Sequence, residues 1–101
     1  MSEVKIGWLG RAKEQFEQLR HRAIDAGVYD RFRKLHNEIV KALRNAVLAV
    51  ERGEPQYLTR RPGGQVRHWV HGFISVTYAI FPAEKVGWIT DYSPVPEWWP
   101  Y

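Results

Sequence analysis

The stretch over residues 66–92 constrains the fold of this chain most, because it has the pattern of two consecutive β-hairpins. Residues 73–81 are rich in β-branched and aromatic side chains, which pack well on a pleated surface. They are preceded by His71-Gly72, a two-residue turn in which glycine adopts a positive φ without steric cost. They are followed by a four-residue turn at 82–85. We therefore predict three strands, at residues 65–70, 73–81 and 86–92.

The two turns also predict the register of these strands. The pairs expected across the first turn are Val70 with Phe73, Trp69 with Ile74, His68 with Ser75, and Arg67 with Val76. The pairs expected across the second turn are Phe81 with Val86, Thr77 with Thr90, Val76 with Asp91, and Ser75 with Tyr92. A slip of one residue in either turn would exchange the two faces of a strand.

This register divides the sheet into two faces, because directly opposite residues share a face and side chains alternate along a strand. One is a core face, and its residues are Trp69, Ile74, Val76, Tyr78, Ile80 and Ile89. The other carries a polar row across three strands, and its residues are His68, Ser75, Thr77, Thr90 and Tyr92. We expect any functional site to lie on the polar face.

The first half of the chain has the pattern of a strand and two amphipathic helices. Residues 4–8 alternate apolar side chains with others, as in a short strand. Over residues 11–26 apolar side chains recur at helical spacing, and a glycine follows. Asp30 is the expected N-cap of a second, longer helix, whose apolar stripe continues to Val50 and which ends at Gly53. The short link predicts an αα-hairpin whose stripes cover the core face.

Two segments are predicted to be irregular. Residues 54–64 are dominated by turn formers and are expected to form a surface loop. Residues 93–101 form a tail with three prolines and three large aromatic residues, which we expect to pack back on the domain or to dock a partner. The prediction for residues 1–101 is one α+β domain: an N-terminal short strand, then an αα-hairpin packed on one face of a small antiparallel β-sheet (β-α-α-β-β-β).

Composition limits the function classes. The chain of 101 residues has no cysteine, so disulfide and thiolate chemistry are excluded. No apolar run approaches the ~20 residues of a membrane span, and the N-terminus lacks the apolar core of a signal peptide, so we expect a cytoplasmic protein with no membrane contact. The net charge of +4 suits a polyanionic partner, although a solvated basic surface explains it equally well.

Several segments together resemble one known family. They are a 16-residue first helix after a short strand, Val66-Arg67-His68, the pattern Gly72-x-x-x-Val76-x-Tyr78, and the pattern Val86-x-x-Ile89-x-Asp91-Tyr92. With the element order and the length, they resemble the RelE/ParE superfamily of bacterial toxins. The resemblance implies a helical hairpin on one side of the sheet. It also implies an opposite side that, in RelE-like members, cups mRNA on the ribosome.

The chain departs from the family pattern at the positions that matter for cleavage. Ser75 stands where the family pattern G-x-x-R-V-x-Y has an arginine that stabilises phosphate charge. The last strand ends Asp91-Tyr92-Ser93, which looks like the ending of HigB-like members with serine in place of their final histidine. The resemblance therefore supports the fold more than it supports nuclease activity.

RNA cleavage of this kind needs a base for the 2′-OH, an acid for the leaving oxygen and positive charge at the phosphate. The catalytic candidates are His68, the best local base or acid, Tyr92, which could stack a base, and Asp91. Each has a structural alternative: a hydrogen bond to Ser75 for His68, packing on Trp88 for Tyr92, and an ion pair with Arg67 for Asp91.

Four residues are candidates for binding nucleic acid: Arg60, Arg61, Arg67 and His71. Arginine matches phosphate with two hydrogen bonds, while the alternative for the loop arginines is a solvated surface and for His71 an ordinary turn. His68 and His71 fall on opposite sides of the predicted hairpin, and no carboxylate has a suitable spacing. We therefore predict neither a metal site nor a cofactor.

Three functional hypotheses follow. The first is the toxin of a type II toxin–antitoxin system, a ribosome-dependent mRNA endoribonuclease with a cognate antitoxin as its partner. The second keeps the toxin fold without cleavage, as a ParE-like toxin that binds DNA gyrase or as a catalytically degenerate homologue. The third is a small protein-interaction module, with a homodimer formed through the Trp98-Trp99 tail as one form.

Overall fold

The computed structural model describes residues 3–99 as one strand, three helices and four further strands. The elements are β1 (Lys5–Trp8), α1 (Gly10–Asp25), α2 (Tyr29–Leu43), α3 (Ala46–Arg52), β2 (Glu54–Leu58), β3 (Gln65–His71), β4 (Ile74–Phe81) and β5 (Val86–Pro94). Within these residues, none of the helices has the length and apolar character needed to cross a membrane.

The strands form one five-stranded sheet in the order β1-β5-β4-β3-β2. It is a mixed sheet, because β1 runs parallel to β5 while all other neighbours are antiparallel. The predicted α+β class and the order of strand, helical hairpin and strands are confirmed. The structure adds a third helix and a fifth strand that the sequence pattern did not predict.

The additional strand, β2, lies within the segment that was predicted as a surface loop. All five of its side chains are exposed, and it pairs with β3 at one edge of the sheet. An edge strand tolerates Pro55, because the missing N–H can point away from the ladder. The loop prediction is therefore wrong for residues 54–58. Because side chains on both faces of this strand are exposed, its sequence lacks the alternation of apolar and polar residues by which a strand is recognised.

The long second helix of the prediction is in fact two helices. α2 ends at Leu43, and the Oδ1 atom of Asn45 accepts the N–H groups of Val47 and Leu48 at 3.0 and 3.1 Å, which caps α3. The predicted N-cap, Asp30, is also wrong. Val28 precedes α2, and Asp30 lies in its first turn, where a negative charge complements the helix dipole.

The first hairpin turns one residue later than predicted. His71 pairs with Ile74, so that His68 lies opposite Thr77 rather than Ser75, and Arg67 lies opposite Tyr78. This register differs from the predicted one by two residues along β4. A displacement by an even number of residues keeps each side chain on the same face of the sheet. The face on which each side chain of β3 and β4 lies was therefore predicted correctly.

The second hairpin departs from its prediction by an odd number of residues. The predicted register holds from Phe81–Val86 to Tyr78–Ile89, and then a β-bulge shifts the pairing by one residue. Tyr92 consequently pairs with Val76 instead of Ser75, and Asp91 pairs with Thr77 instead of Val76. Since Val76 faces the helices, this shift carries Tyr92 to the helical side of the sheet.

The core lies between the helices and the face of the sheet predicted for it. Five of the six predicted core residues are buried and Trp69 is partly buried. The helices contribute Ala12, Leu19, Ala23, Phe32, Ile39, Leu43 and Ala49. Tyr78 donates a hydrogen bond to the carbonyl of Ala49, and the Arg67 guanidinium donates to the carbonyl of Gly53, so both hold the end of α3 against the sheet.

The tail packs back on the domain as far as Trp99, as predicted. Trp99 is buried edge-to-face against Phe73, with ring centroids 5.0 Å apart, and the guanidinium of Arg22 lies 4.9 Å from the indole centroid. Trp98 points outward and is 61% exposed. The last two tail residues, 100 and 101, lie outside the described residues.

The break between α2 and α3 generates a test. We expect Asn45→Ala to lower the free energy of unfolding by about 1 kcal/mol, because the two capped N–H groups of α3 lose their acceptor. Asn37→Ala, an exposed position inside α2, is the matched control and should leave stability unchanged or slightly higher. Equal losses in both variants, measured by urea denaturation, would contradict the cap.

Candidate functional site

The face of the sheet turned away from the helices, here called the open face, is centred on His68. The ring nitrogens of His68 lie 3.0 Å from the hydroxyl oxygen of Thr77 and 3.2 Å from that of Ser75. The hydroxyl of Ser93 lies 3.2 Å from that of Ser75 and extends the polar row onto β5. Both ring nitrogens therefore have partners, and a reacting group would have to displace one of them.

Tyr92, the predicted partner of His68, is not on the open face. It is 3% exposed and lies between the sheet and the helices. Its hydroxyl accepts the indole N–H of Trp8 at 2.8 Å and lies 2.8 Å from Nε2 of His36. The expected position of Tyr92 on the polar face, where it would stack a base or pack on Trp88, is therefore wrong.

Asp91 likewise has a different partner from the one predicted. Its carboxylate makes an ion pair with Arg11 at 3.1 Å and accepts a hydrogen bond from the amide of Gln15. Gln15 also accepts a hydrogen bond from the backbone N–H of Tyr92 at 2.8 Å. A side chain of α1 therefore pairs with a backbone group of β5 beyond the point where β1 ends. The structure thus separates His68 from Tyr92, and it engages Asp91 with side chains of α1.

The four residues predicted to bind nucleic acid also lie apart. Arg67 is engaged inside the fold by Gly53 and Gln65, on the helical side of β3. Arg61 pairs with Glu84 and covers the ring of Phe81, whose centroid is 5.0 Å away. Arg60 is exposed in the loop before β3. The remaining candidate, His71, sits 3.3 Å from the carboxylate of Glu38. They do not form a continuous phosphate-binding surface.

The open face does present large apolar side chains to solvent. Trp88 is 42% exposed, Tyr57 67% and Val70 39%. Trp88 lies across Gly7 of the adjacent strand, where an added Cβ would come within 2.4 Å of the indole, so glycine is required for the ring to lie flat there. These side chains surround the polar row of His68 and give the face an amphipathic character.

A second cluster, which the sequence analysis missed, joins Trp8, His36 and Tyr92 under the helical hairpin. Burial lowers the pKa of His36 from 6.5 to about 4, so the imidazole is neutral at pH 7 and its Nε2 can accept the hydroxyl hydrogen of Tyr92. Burial also raises the pKa of Tyr92 to about 12, opposed by the hydrogen bond from Trp8. A sequence signal existed, because His36 lies on the buried stripe of α2 between Phe32 and Ile39.

Trp8 and His36 also line two neighbouring cavities. The larger, of about 880 Å³, extends along the second half of α2 towards Asn45. The smaller, of about 340 Å³, extends along α1 past Lys13 and Phe16. Within residues 3–99, no group of three or more histidine and carboxylate side chains has the geometry to hold a metal ion.

Comparison of the chain with protein-family models, with curated proteins and with solved structures returned no match.

The buried imidazole generates a test by pH. Because the folded-state pKa of His36 lies below its ordinary value, the unfolded chain binds more protons between pH 6.5 and pH 4. We therefore expect the free energy of unfolding to fall as the pH falls through this window, by on the order of 2 kcal/mol. In His36→Gln this dependence should largely disappear, whereas exposed His21→Gln should retain it. A pH dependence unchanged by His36→Gln, in denaturant titrations at pH 7.5 and 4.5, would contradict the assignment.

Proposed function

We propose that the protein is the toxin component of a type II toxin–antitoxin system and that it acts by binding its target rather than by cleaving RNA. The proposal takes its functional class, a toxin, from the resemblance of the sequence to the RelE/ParE superfamily. The observation that carries the mode of action is the position of Tyr92, which lies on the opposite side of the sheet from His68. A single histidine without a second acid–base group is a poor basis for the two proton transfers of RNA cleavage.

The electrostatics of the open face also favour binding over cleavage. Ser75 occupies the position of the family arginine, and its hydroxyl is used within the polar row. Arg67 and Arg61 have internal partners, so neither is directed at a phosphate next to His68. Stabilisation of developing phosphate charge would be the largest catalytic term, and none of the arginines predicted to bind phosphate is placed next to His68 to supply it.

The exposed side chains of the open face suit a protein partner. An amphipathic surface with a tryptophan held flat against the sheet resembles the centre of protein–protein interfaces, where tryptophan and tyrosine are enriched. Of the targets that the family resemblance suggests, DNA gyrase fits this reading better than ribosome-bound mRNA. A cognate antitoxin would neutralise the toxin by covering the same face or the helical hairpin.

The test is induced expression of the protein in a bacterial host, with growth, mRNA cleavage and DNA supercoiling as the measurements. We expect growth arrest without new mRNA ends, and we expect His68→Ala to arrest growth like the wild type. Trp88→Ala should relieve the arrest, since it removes the largest apolar side chain of the open face. Trp98→Ala, which removes a comparably exposed indole from the tail, is the matched control and should have no effect.

Each alternative has its own outcome in this experiment. Ribosome-dependent mRNA cleavage that is lost in His68→Ala would assign the endoribonuclease activity and overturn the binding mode. Relief by Trp98→Ala instead of Trp88→Ala would assign the function to the tail, as in the interaction-module hypothesis. Wild-type expression without growth arrest would remove the toxin proposal itself. Circular dichroism of the purified variants checks that each one is folded.

A further inference from the structure

The cavity of about 880 Å³ beside α2 lies on the helical side of the sheet, at the edge formed by β1. Its volume is within the range of roughly 300–1,000 Å³ that is typical of small-molecule sites. It is separate from the open face, because Trp8, which forms one wall, points to the opposite side of the sheet from Trp88. The chemistry of its walls is therefore independent of the function proposed for the open face.

One wall of this cavity is cationic. Lys41 and Arg44 are three residues apart on α2 and at its C-terminal end, so they lie on the same side of the helix. Within residues 3–99, neither has a carboxylate within salt-bridge distance. Glu3 contributes a negative charge to the lining, and His36 is neutral, which leaves a net positive wall. The two cations also complement the carbonyl end of α2, so binding must be measured separately from stability.

The lining of the cavity also includes two aromatic side chains that hold each other in place. The indole N–H of Trp8 donates to Tyr92, which in turn contacts His36, so the orientation of the indole is set before any ligand arrives. Trp8 and His36 line both this cavity and the smaller one along α1, so the ring lies at the junction of the two spaces. A preordered aromatic surface loses little conformational entropy on binding and can stack any nucleobase.

Two amide side chains in the lining provide hydrogen-bonding groups. Asn37 is exposed and lies four residues before Lys41, on the same side of α2. The Oδ1 atom of Asn45 is used in capping α3, so its NH2 group remains to donate to a ligand.

We propose that this cavity binds a nucleoside monophosphate, with the base stacked on Trp8 and the phosphate held by Lys41 and Arg44. The amides of Asn37 and Asn45 lie where they can contact the sugar or the edge of the base. The combination of a fixed indole, two cations and donor amides in one cavity is what distinguishes this site from a general basic surface. The same chemistry is offered by a free nucleotide and by the phosphorylated end of a nucleic-acid strand.

The test uses the full chain, with adenosine 5′-monophosphate (AMP) as the probe. Binding of AMP is measured by calorimetry and by the change in the indole N–H resonance of Trp8, which is assigned with the variant Trp8→Phe. We expect AMP to shift that resonance. Adenosine and inorganic phosphate should each bind at least about tenfold more weakly than AMP, because each lacks one half of the recognised group. Lys41→Ala and Arg44→Ala should each weaken AMP binding by about tenfold. Arg60→Ala is the matched control, since it removes one exposed cation near the opposite edge of the sheet.

The outcomes separate this proposal from its alternatives. No shift of the Trp8 resonance at millimolar AMP would overturn it, and so would phosphate binding as tightly as AMP. Equal weakening by Arg60→Ala and Arg44→Ala would also overturn it, since the attraction would then be non-specific charge. A 5′-phosphorylated dinucleotide distinguishes the two sources: binding tighter than that of AMP indicates a strand end, and weaker binding indicates the free nucleotide.

Discussion

The β-bulge between the last two strands is the constraint on which the rest of this structure depends. It adds one residue to β5 opposite the junction of Thr77 and Tyr78, and every residue of β5 beyond it changes its partner. Because side chains alternate along a strand, that single residue decides whether Tyr92 faces solvent beside His68 or is buried under the helices. The bulge is stabilised from outside the sheet, since Arg11 and Gln15 of α1 bind the backbone of β5 at Thr90 and Tyr92.

The bulge gives the two sides of the molecule different chemical characters. The helical side gains a hydrogen-bonded chain from Trp8 through buried Tyr92 to His36, and Trp8 and His36 line a cavity with cationic residues. The open face retains His68 among hydroxyl groups, surrounded by exposed apolar side chains, and loses the aromatic partner that cleavage would need. This arrangement is the basis of the proposal that the face acts by binding.

The fold class, the three-stranded meander and its core face could be predicted from the sequence, because turn residues and the alternation of apolar residues carry that information locally. Three features could not. The exposed strand β2 has no alternation of apolar residues. The two-residue break at Arg44 and Asn45 leaves the apolar stripe of the two helices in phase. The bulge depends on Gln15, which is distant in sequence from Tyr92 and approaches it only after the helices dock. The expected position of Tyr92 beside His68 was wrong for this last reason.

The position of Tyr92 is tested by the cross-strand register of β4 and β5 in solution, which nuclear Overhauser effects between backbone protons of the isotope-labelled protein report. We predict contacts between Val76 and Tyr92 and between Ser75 and Ser93, together with contacts from the Tyr92 ring to Trp8 and His36. Contacts between Ser75 and Tyr92, with the Tyr92 ring close to His68, would contradict this register. They would return the acid–base pair to the open face.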